Sequence, residues 1–87
     1  MAEHTAGGFG LFASGAGAGS VGFQAVGELG GSFQGTIAPL RLVPSTTAGK
    51  PTTGKHFVGE LYVDQPGVLY YCTASGTPGT WEQVQLI

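Results

Sequence analysis

Apolar and polar positions alternate most cleanly over residues 57–64. Phe57, Gly59, Leu61 and Val63 fall on one face of an extended chain, and Val58, Glu60, Tyr62 and Asp64 on the other. A period of two marks a half-buried β-strand. Pro66-Gly67 follows. Pro presets the first central dihedral of a type II turn and Gly supplies the positive second one. Residues 68–73 are rich in β formers and make the return strand. Residues 73–80, Thr-Ala-Ser-Gly-Thr-Pro-Gly-Thr, read as a loop, and residues 81–86 as a last strand. The pattern predicts a three-stranded antiparallel meander. Upstream, Ile37, Leu40, Leu42 and Val43 surround Arg41 between Pro39 and Pro44. The two prolines limit that stretch to an edge or irregular extended piece. Residues 45–55, rich in Thr, Gly and Pro, read as an exposed loop.

The chain changes character near Thr36, with 11 of its 17 glycines lying before that point. No helical period fits this part, where each Gly inside a helix would cost about 1 kcal/mol relative to Ala. A 12-residue offset aligns residues 10–15 (Gly-Leu-Phe-Ala-Ser-Gly) with residues 22–27 (Gly-Phe-Gln-Ala-Val-Gly), and Gly7, Gly19 and Gly31 share the same offset. Each unit offers one or two large apolar residues between glycines that permit sharp turns, so short β-arcs are expected. The hexamer Gly-Ala-Gly-Ala-Gly-Ser at residues 15–20 is compatible with closely packed sheets. One such ribbon cannot bury its apolar side or satisfy its strand edges alone, whereas several wound about a common axis can do both.

Length and composition sharpen that point. A chain of 87 residues with 17 Gly has a thin stability margin, because it buries a small share of its surface and orders many entropy-rich glycines. Small domains compensate with disulfides, a metal or association. Cys72 is the only cysteine, which excludes an intrachain disulfide, and Cys72 with the distant His4 and His56 matches no zinc spacing. Association remains. A net charge of −2 with 9% charged residues leaves no basic stripe for nucleic acid, and 41% apolar residues argue against disorder. Residues 5–27 carry no charge, but their apolar content is mostly Gly and Ala, and they hold no continuous run of about 18 strongly hydrophobic residues. Membrane insertion is not expected.

Candidate chemistry is sparse. His4 and His56 titrate near neutrality but have no neighbouring nucleophile or second acid in sequence. Cys72 lies in an apolar strand beside Tyr71, where a buried, inert thiol is expected. Glu60 and Asp64 share a strand face about 13 Å apart, too far for an acid–base pair, and read as a solvated face. The glycine-rich runs lack the Lys and following helix of a phosphate loop. Neither catalysis nor a cofactor or metal is expected. Tyr62, Tyr70 and Trp81 are the residues that would form a ligand-binding face if exposed, since aromatic rings stack on sugars; inside, the same rings fill a sparse core.

Three stretches carry a resemblance: Ala-Pro-Leu-Arg-Leu-Val-Pro at residues 38–44, Gly-Glu-Leu-Tyr-Val-Asp at 59–64, and Cys-Thr-Ala-Ser-Gly-Thr-Pro-Gly-Thr-Trp at 72–81. Together with the glycine/apolar units before them, they resemble the C-terminal trimerising head of bacterial glycine-repeat and phage tail-fibre-like proteins. The resemblance implies a shaft that is a three-chain β-helix, closed by a compact trimerising head, with the chain as the terminal piece of something longer. It also implies an extracellular, cell-surface or virion setting, and it brings no catalytic residues.

The expectation is therefore an all-β homotrimer. A Gly-rich intertwined β segment (triple β-helix or β-prism-like) over residues 1–36 would be followed by a strand and small antiparallel β-meander over residues 37–87, the two forming one cooperative module. Oligomerisation follows from composition; the number three comes from the resemblance. Contacts between chains are expected at Phe9, Leu11, Phe23, Val26, Leu29, Phe33, Ile37, Leu40 and Leu42. The expected role is trimerisation and capping, which set chain register and stability. The alternative is a tip that binds a surface glycan or receptor through Tyr62, Tyr70 and Trp81.

Overall fold

A computed structural model describes residues 13–17 and 20–86. Among them there is no helix, and regular structure is confined to one three-stranded sheet, so the fold is all-β. The chain divides into two units, Met1–Gln34 and Gly35–Ile87.

The described part of the first unit contains no strand. Its backbone turns back on itself near Gly17, whose φ is +93°. Ser20 donates to the Gly17 carbonyl through both its amide (3.3 Å) and its hydroxyl (2.9 Å). The reversal brings Val21 so close to Gly15 that a Cβ there would stand 3.1 Å from the Val21 carbonyl. Glycine at position 15 thus permits an approach of two backbones without a ladder between them. The large side chains Val21, Phe23, Val26, Leu29 and Phe33 all face solvent in the single chain.

In the second unit β1 (Leu61–Val63), β2 (Leu69–Ala74) and β3 (Thr80–Gln83) form an antiparallel meander in the order β1-β2-β3. Register pairs Tyr62 with Tyr70 and Cys72 with Trp81. Directly opposed residues share a face, so Tyr62, Tyr70, Cys72 and Trp81 lie on one side. Leu61 and Tyr71 share the other side and are exposed. Among the described residues the buried apolar ones are Cys72 and Trp81, a very small core.

Three local departures from expectation have physical causes. The first strand is shorter than residues 57–64, because the Glu60 amide bonds back to the Phe57 carbonyl (3.2 Å) and Gly59 takes a φ of +99°. Residues 57–60 are a turn. The hairpin turn sits one residue earlier than expected: the Gly67 amide donates to the Asp64 carbonyl at 3.0 Å, putting Gln65 and Pro66 at the centre. Gly67, at φ +100°, then closes a three-residue loop in the left-handed conformation. The stretch 37–43 forms no strand, and Ile37, Leu40, Leu42 and Val43 are exposed.

The loop between β2 and β3 folds over the core. A register shift between Cys72 and Ala74 turns the chain out of the ladder. Gly79 then returns it with a φ of +81°, so close that a Cβ would stand 2.8 Å from the Ala74 carbonyl oxygen. The indole N–H of Trp81 donates to the Pro78 carbonyl at 2.9 Å, which ties the loop to the core ring.

Candidate functional site

The densest polar chemistry lies where the loop of residues 45–55 meets the sheet. His56 enters it by pairing with Gly76: the two residues exchange amide–carbonyl bonds of 2.9 and 3.0 Å. This fixes the His56 backbone against the β2–β3 loop. Its ring meets Trp81 edge to face, with centroids 5.1 Å apart, and Trp81 in turn meets Tyr62 at 6.0 Å. Such edge-on packing suits the charge distribution of aromatic rings.

Both imidazole nitrogens are engaged. Nδ1 stands 2.8 Å from Glu60 Oε1, and Nε2 stands 3.0 Å from the Thr53 carbonyl oxygen. The other Glu60 oxygen accepts the Phe57 amide at 2.7 Å, which caps the turn that brings Glu60 to His56. The hydrogen bond that His56 donates to Glu60 raises the His56 pKa, with burial working against it and the Thr53 carbonyl and the Glu60 charge adding to it. The same bond to His56 lowers the Glu60 pKa, opposed by burial and helped by the Phe57 amide and the His56 charge.

Asp64 is the second anchor. The expectation of a solvated carboxylate is overturned: Asp64 is 2% exposed. Its Oδ2 accepts the Gly49 amide at 2.8 Å, and its Oδ1 accepts the amides of Val68 (2.7 Å) and Gly67 (3.1 Å). Burial works to raise its pKa, but the donated amides more than offset this and the pKa is lowered. One carboxylate therefore fastens the 45–55 loop to the β1–β2 hairpin.

Between these anchors lies a cleft of about 220 Å³, bounded by Thr47 and residues 49–53 on one side and by His56 and Tyr62 on the other. No family model, curated protein or solved structure matches the chain. What the site can do is read from its own chemistry. His56 has no free nitrogen lone pair in this arrangement, and among the described residues no group of three or more His, Cys, Asp or Glu is placed to hold a metal. Cys72 is fully buried, with its thiol donating to the Ala74 carbonyl at 3.3 Å.

The expected aromatic face is split. Trp81 is 4% exposed and committed to the core, so it presents no face to a ligand. Tyr62 and Tyr70 are half-buried, and Tyr62 lines the cleft. Of the expected inter-chain residues, Phe9 and Leu11 lie outside the described residues. Phe23, Val26, Leu29, Phe33, Ile37, Leu40 and Leu42 are all exposed in the single chain. Sequence reasoning missed the roles of His56, Glu60 and Asp64. Asp64 carried a usable signal, since the Asp that opens an Asp-Gln-Pro-Gly turn readily accepts amides of the turn that follows. His56 and Glu60 carried none, because the Gly59 turn that joins them was read as strand.

Proposed function

We propose that the chain is a structural, non-catalytic module that assembles with copies of itself, as a trimer, at the end of a fibre-like protein. The observation that carries this is the exposure of large apolar side chains in each unit, among them Val26 at 92% and Leu29 at 82% in the first and Ile37 at 100% in the second. Scattered exposed apolar residues are ordinary, but so many of them in a chain with so small a buried core favour burial against other chains. Low charge leaves little to oppose self-contact, and the resemblance of residues 38–81 supplies the number three. In this reading the glycine-rich part provides the contacts between chains, and the meander provides a compact head that fixes register.

Sedimentation equilibrium tests the proposal. The expected mass is three times the 8.8 kDa of the chain, with a melting temperature that rises with protein concentration. A folded monomer at micromolar concentration overturns it.

The cleft beside Tyr62 favours a second reading, a receptor- or carbohydrate-binding tip. At about 220 Å³ it is smaller than the roughly 300–1,000 Å³ of drug-sized sites, and would suit a single sugar ring set against the tyrosine. Titration of labelled protein with a panel of monosaccharides would shift the amide signals of residues 47–50, 52, 53 and Tyr62. An unchanged spectrum at saturating sugar rejects this reading and leaves the first untouched.

A further inference from the structure

The 45–55 loop is pinned at two points by side chains of opposite character. Gly49 is held by Asp64, a carboxylate that its amide donors keep charged, and Thr53 is held by His56. Residues 50–52 span the interval and form much of the cleft wall.

The His56 pin has a particular chemical requirement. Glu60 Oε1 is a carboxylate oxygen and Thr53 O a carbonyl oxygen, so both partners only accept hydrogen bonds. The ring satisfies both only when both nitrogens carry a proton. A neutral ring has one N–H and must give up one bond. The bond to a charged acceptor is the stronger of the two, so Nδ1 keeps its proton toward Glu60. The bare lone pair of Nε2 then faces the lone pairs of the Thr53 carbonyl, and attraction becomes repulsion. The ring itself cannot readily retreat, because its backbone is paired with Gly76 and its edge is packed on Trp81. The loop yields instead.

We infer that His56 is a pH-operated latch, holding the loop of residues 49–54 closed along the cleft when its ring is doubly protonated and releasing the Thr53 end when the ring is neutral.

The surrounding charges are few. Glu60, from the turn before β1, favours the protonated ring. Lys50, from the loop, lines the same cleft and opposes it. Tyr62 is the titratable group from β1, and it lines the cleft as well. From β3 the ring meets Trp81, which carries no charge, while Glu82 points to the opposite side of the sheet from Trp81. The β2–β3 loop presents Gly76 and no ionisable side chain among residues 75–79. Lys55 is drawn aside, its ammonium 5.4 Å from the centre of the Phe57 ring. Glu60 is therefore the partner that sets where the latch operates.

The experiment is a pH titration of the full chain by nitrogen-resolved NMR, reading the two His56 ring nitrogens and the backbone order parameters of residues 50 and 52–54 together. At acidic pH both ring nitrogens should appear protonated and the loop ordered. As the ring loses its proton, order parameters at residues 50 and 52–54 should fall from about 0.85 toward 0.6, with the same midpoint, while Gly49 and the sheet stay ordered. In E60Q the ring midpoint should move to lower pH and the loop release should move with it. A loop equally ordered on both sides of the titration overturns the proposal, as does a loop release whose midpoint ignores the ring or stays put in E60Q. The wild-type titration alone decides the matter if E60Q does not fold.

Discussion

Asp64 shows how much one side chain holds in a module with so little core. Its carboxylate takes amide protons from Gly49, Gly67 and Val68, so it organises the hairpin turn and anchors the 45–55 loop at once. The two oxygens divide that labour, and substitutions can separate them. In D64N the amide group offers one acceptor oxygen, which can serve Gly67 and Val68, while its NH2 would face the Gly49 N–H and repel it. Amide exchange should therefore accelerate at Gly49 and stay slow at Val68. In D64A exchange should accelerate at Gly49 and Val68, whose amides lose their acceptor, while Gly67 keeps the Asp64 carbonyl, and the melting temperature should fall further than in D64N. Equal exchange at Gly49 in wild type and D64N would show that Oδ2 does not hold the loop.

Among the elements, the turns carry more of the specification than the strands, which are 3, 6 and 4 residues long. Gly67 and Gly79 both have positive φ, but their surroundings differ: a Cβ at 67 meets nothing within 4 Å, whereas one at 79 meets the Ala74 carbonyl at 2.8 Å. G67A should cost only the left-handed backbone penalty, about 1 kcal/mol. G79A adds a clash with backbone that cannot move without unseating Trp81, and should cost about 2–3 kcal/mol. Denaturant unfolding of the two variants checks the ranking.

The turn at residues 57–60 and its His56–Glu60 pair set a pH dependence at the same scale. His56 is raised above 6.5, so its contribution is complete below that value and is lost as pH rises through the raised pKa. Glu60 is lowered below 4.5, so its contribution is complete above that value and is lost as pH falls through the lowered pKa. Thermal stability from this pair should peak between 4.5 and 6.5. Below the peak, Asp64, lowered from 3.8, adds to the loss as acid protonates it. A melting series across the acidic and neutral range should show the maximum, and E60Q should flatten its neutral side.

For the whole molecule the decisive quantity is the apolar surface that a single chain leaves in water. Trp81 and Cys72 are a minimal core, while Phe23, Val26, Leu29, Phe33 and Ile37 are exposed. Under the proposed assembly these residues are covered by neighbouring chains, so I37D or V26D should weaken association by roughly tenfold or more, equivalent to about 1.4 kcal/mol. K55E, at a residue that is not among these apolar positions, should leave association unchanged. Sedimentation of the three variants checks this. If the aspartate variants assemble as the wild type does, Val26 and Ile37 are not at the interface.

The amino-acid sequence by itself determined the β class, the meander and the buried place of Cys72. These follow from short-range chemistry: alternation with period two, β-branched and aromatic residues in residues 68–73, and Pro/Gly turns between them. What tertiary structure decided was where the polar groups went. Residues 57–60 alternate like a strand, yet the Glu60 carboxylate finds better partners in the Phe57 amide and the His56 ring, and the chain turns to reach them. Asp64 looked solvent-facing by the same alternation until a loop 15 residues away covered it. Trp81 fitted a binding face as well as a core until the Pro78 carbonyl took its N–H and His56 packed on its ring. Hydrophobic periodicity reports which face of a strand is apolar. It carries no record of which distant carbonyl, amide or carboxylate will satisfy a polar atom, and in this chain those pairings build the site.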